Sequence, residues 1–344
     1  MSKRFKKIIY YLSTAIISGC VLIMFVVQPG INDNESSMFI DMICGNASKP
    51  FVYRTLLPTT VRLLAAPVPE QLRSSISRKI EENVSLRKLF LKLKWEKEYA
   101  VEYSFAMILM FFSLWGFSIA VKYFFSLFFK TSDWFAGSVS ILALAGLPPM
   151  FQYTSFLYDF PLLLFYTLGL IFIYKQDWKT FLIIFLIGCF NKETTILLTL
   201  IFYIFYRNKL QKDLFVKLLI AQLGIFIIAK VLLYAAFINN PGTFVEFHLV
   251  DHNLRLLTGY KLPFVVSILG MILFVFYKWN EKPLFLKHSL IPLIPLFILT
   301  LFLGYVDELR DYYEVYPVII LLTSYSIARI LSVKIGIWEY YQTI

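Results

Sequence analysis

Cysteine and charge are scarce in this sequence. Three cysteines among 344 residues, Cys20, Cys44 and Cys189, are an odd number without close spacing. They support neither a disulfide framework nor a zinc site. Only 16% of the residues are charged, against about a quarter in soluble domains. No internal repeat, low-complexity tract or separate soluble domain is visible. The opening stretch MSKRFKKIIYYLSTAIISGCVLIMFVVQ has a basic start and a long apolar run, with no small-x-small cleavage site to close it. It reads as a retained first helix with a cytoplasmic N-terminus, not a removed signal.

What the chain has in abundance is apolar surface. It is 59% hydrophobic and 18% aromatic, with mean hydropathy +0.70. Apolar runs cover 8–28, 100–122, 134–150, 160–174, 180–190, 194–206, 215–237, 263–278, 289–305 and 314–332. The expected fold is all-α: a polytopic transmembrane helical bundle with about ten membrane segments, forming one integral membrane domain over 1–344. The net charge of +11 does not point to nucleic acid, because a membrane protein collects lysine and arginine in its cytoplasmic loops.

Those loops set the expected orientation. MSKRFKK, the region of Lys122 and Lys130, KQDWK, YRNKLQKDLFVK, YKWNEKPLFLKH and the C-terminal tail hold 17 lysines and arginines. The short loops on the other side hold four: Lys192, Arg255, Lys261 and Arg310. This asymmetry places both termini in the cytoplasm. It works only if 180–206 is a hairpin that turns at Asn191–Lys192–Glu193. A charge at a bilayer centre costs roughly 2.5–3.5 kcal/mol, so Lys192 and Glu193 need a protein-lined or watery setting. Residues 29–98 form a long extracytoplasmic first loop. In it, Ile76, Ile80 and Val84 recur at i+4 and lead into Leu86, Phe90 and Leu93, the pattern of an amphipathic helix on the membrane surface. FVYRTLLPTTVRLLAAPVP reads as an interfacial or re-entrant helix.

With this topology the unusual polar residues share one side. The first loop contributes Asp33, Glu35, Asp41, Arg54 and Arg62. Next come Gln152, Tyr158 and Asp159, then Asn191, Lys192 and Glu193. Later loops add Glu246, His248, Asp251, His252 and Arg255, and finally Asp307, Glu308, Arg310 and Asp311. Together they suit an anionic, hydroxyl-rich ligand at the outer leaflet. Simpler readings exist for each: Lys192 and Glu193 as a plain ion pair capping a turn, Asp159 as an N-cap before Pro161, and Asp307, Glu308 and Arg310 as a solvated loop. His248 and His252 are four apart, so a helix would put both imidazoles on one face, as a metal pair needs. They have no defined third ligand. A divalent metal is compatible with these residues but required by none of them, and no other cofactor is indicated.

Four segments resemble the polytopic glycosyltransferases of the GT-C superfamily. They are NDNESSMFID (32–41), PFVYRTLLP (50–58), the run from LYDFPLLLF through KQDW to FNKETTILL (157–198), and VDELRDYYEVYP (306–317). These are similar to the acidic first loop, the Tyr-Arg-x-Leu-x-Pro element, the Tyr-Asp helix with its Lys/Arg-Glu-Thr turn, and the Glu-x-Arg segment of bacterial members. Protein mannosyltransferases belong to the same superfamily. One departure is that the family usually has an Asp-aromatic or Asp-Glu pair in the first loop, whereas here Asp33, Glu35 and Asp41 are spread.

The resemblance implies an enzyme of the bacterial inner (plasma) membrane with an extracytoplasmic active site. It would move a sugar from a polyprenyl-phosphate donor to a hydroxyl on a glycan, lipid or protein. Asp33, then Asp41, then Glu35 would be the general base. Arg54, Lys192 and Arg310 would bind the donor phosphate. Asp159, Glu193, His248, His252 and Glu308 would orient those cations or hold sugar hydroxyls. A lipid-linked glycan flippase or other transporter also uses broken helices and buried charges, and a glycan polymerase works on similar donors. The absence of a repeat argues against the former, and the early position of the large loop against the latter.

Overall fold

The computed structural model describes residues 3–28, 30–243, 247–256, 259 and 262–338. About 75% of the chain is helical. The helices are α1 (Lys3–Val27), α2 (Phe39–Cys44), α3 (Leu56–Ala65), α4 (Glu70–Glu82), α5 (Val84–Lys92), α6 (Ala100–Phe128), α7 (Asp133–Ala145) and α8 (Asp159–Tyr174). They continue with α9 (Trp178–Asn191), α10 (Leu197–Tyr206), α11 (Lys212–Ala236), α12 (Leu254–Leu256), α13 (Leu262–Phe276), α14 (Leu284–His288), α15 (Leu293–Leu303) and α16 (Tyr316–Ile330). Every apolar run of the sequence falls on one or more of them.

Among the described residues four helical stretches are long and apolar enough to cross a membrane: Arg4–Val27, Lys97–Phe128, Lys212–Ala236 and Leu284–Leu303. The other apolar helices are shorter, so ten full crossings are not seen. The run 134–150 illustrates why. Its helix stops at Ala145, and a 3-10 turn at Pro148–Met150 takes over, started by two consecutive prolines.

Helix α6 is the central post. It packs against α1, α3, α7 and α8, while α8 in turn meets α9, α10 and α16. Its inner positions, including Tyr103, Ala106, Met110, Leu114, Phe117, Val121 and Phe124, are fully buried. By contrast α1 exposes Ile16, Ile23 and Met24, and α11 exposes Ile227, Ile228 and Val231. Apolar faces this extensive are what lipid contact requires.

The bundle has two chemically distinct ends. At one, Tyr10 of α1 bonds Ser140 and lies under Lys122. Strand Phe129–Lys130 pairs antiparallel with Gly336–Ile337. The rings of Phe128, Tyr174, Phe205 and Phe285 meet there, and Glu281 holds Arg329. At the other end the first loop, the 150–159 turn, the tip at 191–194 and the 248–256 and 304–314 segments come together. Asn32 ties this end internally: its amide donates to Lys94 O and Tyr103 Oη, and accepts from Phe39 N.

The two arms of 178–206 lie side by side. Trp178, at the start of α9, meets Tyr206, at the end of α10, with ring centroids 5.2 Å apart. At the bend, a Cβ on Gly188 would lie 2.8 Å from Thr195 Cγ2, so the close approach needs glycine. Thr195 Oγ1 donates to the Gly188 carbonyl at 2.8 Å.

In the first loop the amphipathic pattern over 76–93 is two helices rather than one. Asn83 interrupts it, with extended backbone and a side chain that accepts from Ser85 N and Leu86 N as the N-cap of α5. The preceding segment forms a 3-10 turn (Phe51–Tyr53) and α3, whose Leu57, Val61 and Ala65 are buried.

Candidate functional site

Lys192 breaks the helix that would otherwise run through 178–206. Its backbone is extended (φ −155°, ψ 144°), and a 3-10 turn (Glu193–Ile196) follows before α10. At the break one carbonyl keeps its helical partner and the next is satisfied from a neighbouring helix. Gly188 O accepts from Lys192 N, and Cys189 O accepts from Lys230 Nζ at 3.1 Å. Lys230 therefore reaches into the bend from α11. Asn191 Nδ2 donates to Tyr158 O at 3.0 Å, pinning the tip to the 150–159 turn.

That turn is shaped by Asp159. Its carboxylate accepts from Phe156 N while its own N–H donates to Phe156 O. The reverse turn stacks the Phe156 and Tyr158 rings, 5.1 Å apart, and Phe51 stacks on Phe156 at 5.2 Å. Two guanidiniums lie on this aromatic block. Arg54 Cζ is 4.2 Å from the Tyr158 centroid, and Arg310 Cζ is 3.9 Å from the Phe156 centroid.

Carboxylates fix each cation. Arg54 makes a forked pair with Glu193 (Nη2–Oε1 2.8 Å, Nε–Oε2 3.4 Å) and also donates to the Tyr158 hydroxyl. Arg310 donates from Nε to Glu308 Oε1 at 2.6 Å and has Asp159 Oδ2 at 3.6 Å from Nη1. Lys192 Nζ faces Glu314 Oε1 at 3.4 Å. Arg54, Lys192 and Arg310 are all buried. Burial pushes the Glu308 carboxyl above the usual range, and the Arg310 guanidinium pulls it back only in part.

Three cations from separate segments thus share one site, together with Asp159, Glu193 and Glu308. None is fully used. An arginine has five N–H donors, and Arg54 commits three. Lys192 Nζ makes an ion pair but no hydrogen bond within 3.5 Å among the described residues.

Glu314 is a member that sequence reading missed. Its carboxylate is 0% exposed. Oε1 faces Lys192 and accepts from the Thr194 hydroxyl, and Oε2 has no hydrogen-bond partner among the described residues. A lone glutamate at the start of an apolar run was the available signal. The aromatic block was also missed, since three phenylalanines and tyrosines among 57 such residues carry no mark of their own.

The first-loop carboxylates stand apart. Asp33 is exposed and pairs with Lys94 at 2.8 Å. Glu35 opens a 3-10 turn, and Asp41 lies in the first turn of α2. Among the described residues none of the three forms a hydrogen bond or ion pair with Arg54, Lys192 or Arg310. The two histidines both pack on Tyr305 but face different carboxylates. His248 Nδ1 lies 3.1 Å from Asp251, while His252 Nε2 lies 3.0 Å from Asp307. The regular helix that would have put both imidazoles on one face is replaced by a wide π-type turn at Leu249–Asn253. Among the described residues no group of three or more His, Cys, Asp or Glu side chains could hold a metal. Glu246 and Lys261 lie outside the described residues.

A groove of about 360 Å³ opens nearby between α1 and the 148–151 turn, lined by Ile23, Met24, Val27, Gln28, Pro148 and Phe151. Phe151 contacts Phe160, the neighbour of Asp159. The groove lies on the exposed flank of α1. Comparison with family models, curated proteins and solved structures gives no match.

Proposed function

We propose that this protein is a membrane glycosyltransferase that takes a sugar from a polyprenyl-phosphate donor and transfers it to an acceptor hydroxyl. The observation that carries the reading is a cluster of three buried cations at the end of an apolar bundle: Arg54 and Arg310 lie on one aromatic block, and Lys192 faces Glu314 at the adjoining hairpin tip. Glycosyl transfer from such a donor builds negative charge on the departing phosphate. Cations already fixed in a water-poor site stabilise that charge without reorganising. Glu193, Glu308 and Asp159 keep the cations in place, and the α1 groove offers an apolar path for a lipid chain. About ten membrane segments, with the 178–206 hairpin re-entrant and its tip extracytoplasmic, fit this role. So do cytoplasmic termini and a location in the bacterial inner membrane.

Purified protein in proteoliposomes, given a panel of polyprenyl-phosphate sugars and soluble glycan acceptors, should release polyprenyl phosphate. Arg310→Ala should lower the rate by about 10²–10³-fold, the range for removing one charge-stabilising donor. Absence of turnover with every donor would overturn the reading. Movement of the lipid-linked sugar across the bilayer without transfer would favour a flippase.

A further inference from the structure

Transfer to a hydroxyl needs a proton acceptor, and the strongest arrangement for one lies outside the first loop. Asp307 accepts on both oxygens. His252 Nε2 lies 3.0 Å from Oδ1, and the Tyr153 hydroxyl donates to Oδ2. In the neutral tautomer that gives the Asp307 acceptor a donor, the ring proton of His252 is on Nε2 and Nδ1 carries a lone pair. Nδ1 has no hydrogen-bond partner among the described residues. The imidazole packs against Tyr305, with ring centroids 3.9 Å apart and the planes tilted by 32°. It is 26% exposed, open enough to meet a substrate and to release a proton to water.

The carboxylate end of this relay adjoins the cations. Asp307 precedes Glu308, which holds Arg310 at 2.6 Å. Tyr153 is three residues from Phe156, on which Arg310 lies. Burial and the bond to Asp307 raise the Tyr153 phenol above its ordinary value, so it stays protonated as a donor. By contrast Asp33 is engaged by Lys94 on the surface.

We propose that His252, positioned by Asp307 and Tyr153, accepts the proton of the acceptor hydroxyl. This rests on the glycosyltransferase reading and specifies its base. As the acceptor oxygen bonds to the anomeric carbon, the bond from that carbon to the phosphate oxygen breaks. The electron pair leaves with the lipid phosphate towards Arg54, Lys192 and Arg310. The acceptor's proton passes to His252 Nδ1 and then to water. Asp307 stabilises the imidazolium and acts as a positioning residue.

The test compares His252→Ala, His252→Gln and Asp307→Asn with Asp33→Asn and Asp41→Asn in the proteoliposome transfer assay, with folding checked by thermal unfolding in detergent. A general base contributes typically 10²–10⁴-fold. Both His252 variants should lose kcat in that range with KM little changed. Added imidazole should restore part of the His252→Ala rate and none of the Asp33→Asn rate. Folded His252 variants within threefold of wild type, or a larger loss in Asp33→Asn than in His252→Gln, would overturn the assignment while leaving the transferase intact. A wild-type protein inactive with every lipid-phosphate sugar would instead remove the reading beneath it.

Discussion

Arg54 and Glu193 stand 139 positions apart and form a forked ion pair, 2.8 Å from Nη2 to Oε1. This one contact ties the first loop to the bend in the 178–206 hairpin. Arg54 is 10% exposed and Glu193 44%, so the pair is half in water and half in protein. Glu193→Ala should lower unfolding stability by about 1–2 kcal/mol, less than the roughly 3–5 kcal/mol for breaking a fully buried pair, because solvent screens the exposed carboxylate. Arg54→Lys should lose a similar amount, since an ammonium cannot reproduce the fork. Thermal unfolding in detergent would check this. Glu193→Ala as stable as wild type would mean that the pair contributes nothing.

The Lys192–Glu314 pair has no such solvent relief. Its side chains are 8% and 0% exposed. Glu314→Ala leaves a buried ammonium unpaired and should cost about 3–5 kcal/mol. Lys192→Met combined with Glu314→Leu removes both charges and should be markedly less harmful than Glu314→Ala alone. A double variant that is worse than the single one would show that the network matters through its hydrogen bonds rather than its charges.

The hairpin depends on one missing side chain. Gly188→Ala places a methyl 2.8 Å from Thr195 Cγ2, and overpacking of this kind costs about 1–3 kcal/mol. Thr195→Ser removes the clashing methyl but keeps the hydroxyl that donates to Gly188 O. The double variant Gly188→Ala/Thr195→Ser should recover most of the loss. Failure to recover would place the strain elsewhere in the bend.

These sites show why some features were legible in the sequence and others were not. The apolar runs marked the helices because burial and lipid contact both demand unbroken hydrophobic sequence. The hairpin followed from basic loops flanking it, and Trp178 against Tyr206 is its structural counterpart. Arg54, Lys192 and Arg310 stood out because charge is rare here. Their carboxylate partners could not be assigned, because pairing across 139 residues leaves no local pattern. Asn83 was legible in principle as an N-cap, but the hydrophobic period running across it suggested continuity. The π-type turn at Leu249–Asn253 defeated the helical spacing of His248 and His252.

Glu281 gives the basic end a defined pH response. Lys278 bonds its carboxylate at 2.8 Å, Tyr325 at 2.7 Å and Arg329 at 2.9 Å. Together they hold its carboxyl down to about 2, from an ordinary 4.5. A depressed carboxyl stabilises the fold above the unfolded value and loses that contribution as pH falls through the folded one. The 277–283 loop should therefore stay docked on α16 above about pH 5 and loosen between about pH 4.5 and 2. Amide exchange at 326–330 would report it, and Glu281→Gln should abolish the pH dependence. Equal exchange in both proteins at all pH values would exclude the carboxylate as the cause.

The orientation of the two ends is open to direct test. Cys44 is exposed at the end that holds the cation site, and Cys189 is buried. Asn208 is exposed in the 207–211 loop at the opposite end. On the proposed orientation, which rests on the basic short loops, that opposite end faces the cytoplasm. In intact cells a membrane-impermeant maleimide should label Cys44 in a Cys20→Ser background. It should not label Asn208→Cys in a background lacking Cys20 and Cys44 until the membrane is permeabilised. The reverse pattern would put Arg54, Lys192 and Arg310 on the cytoplasmic side. A lipid-linked donor presented in the outer leaflet could not then reach them.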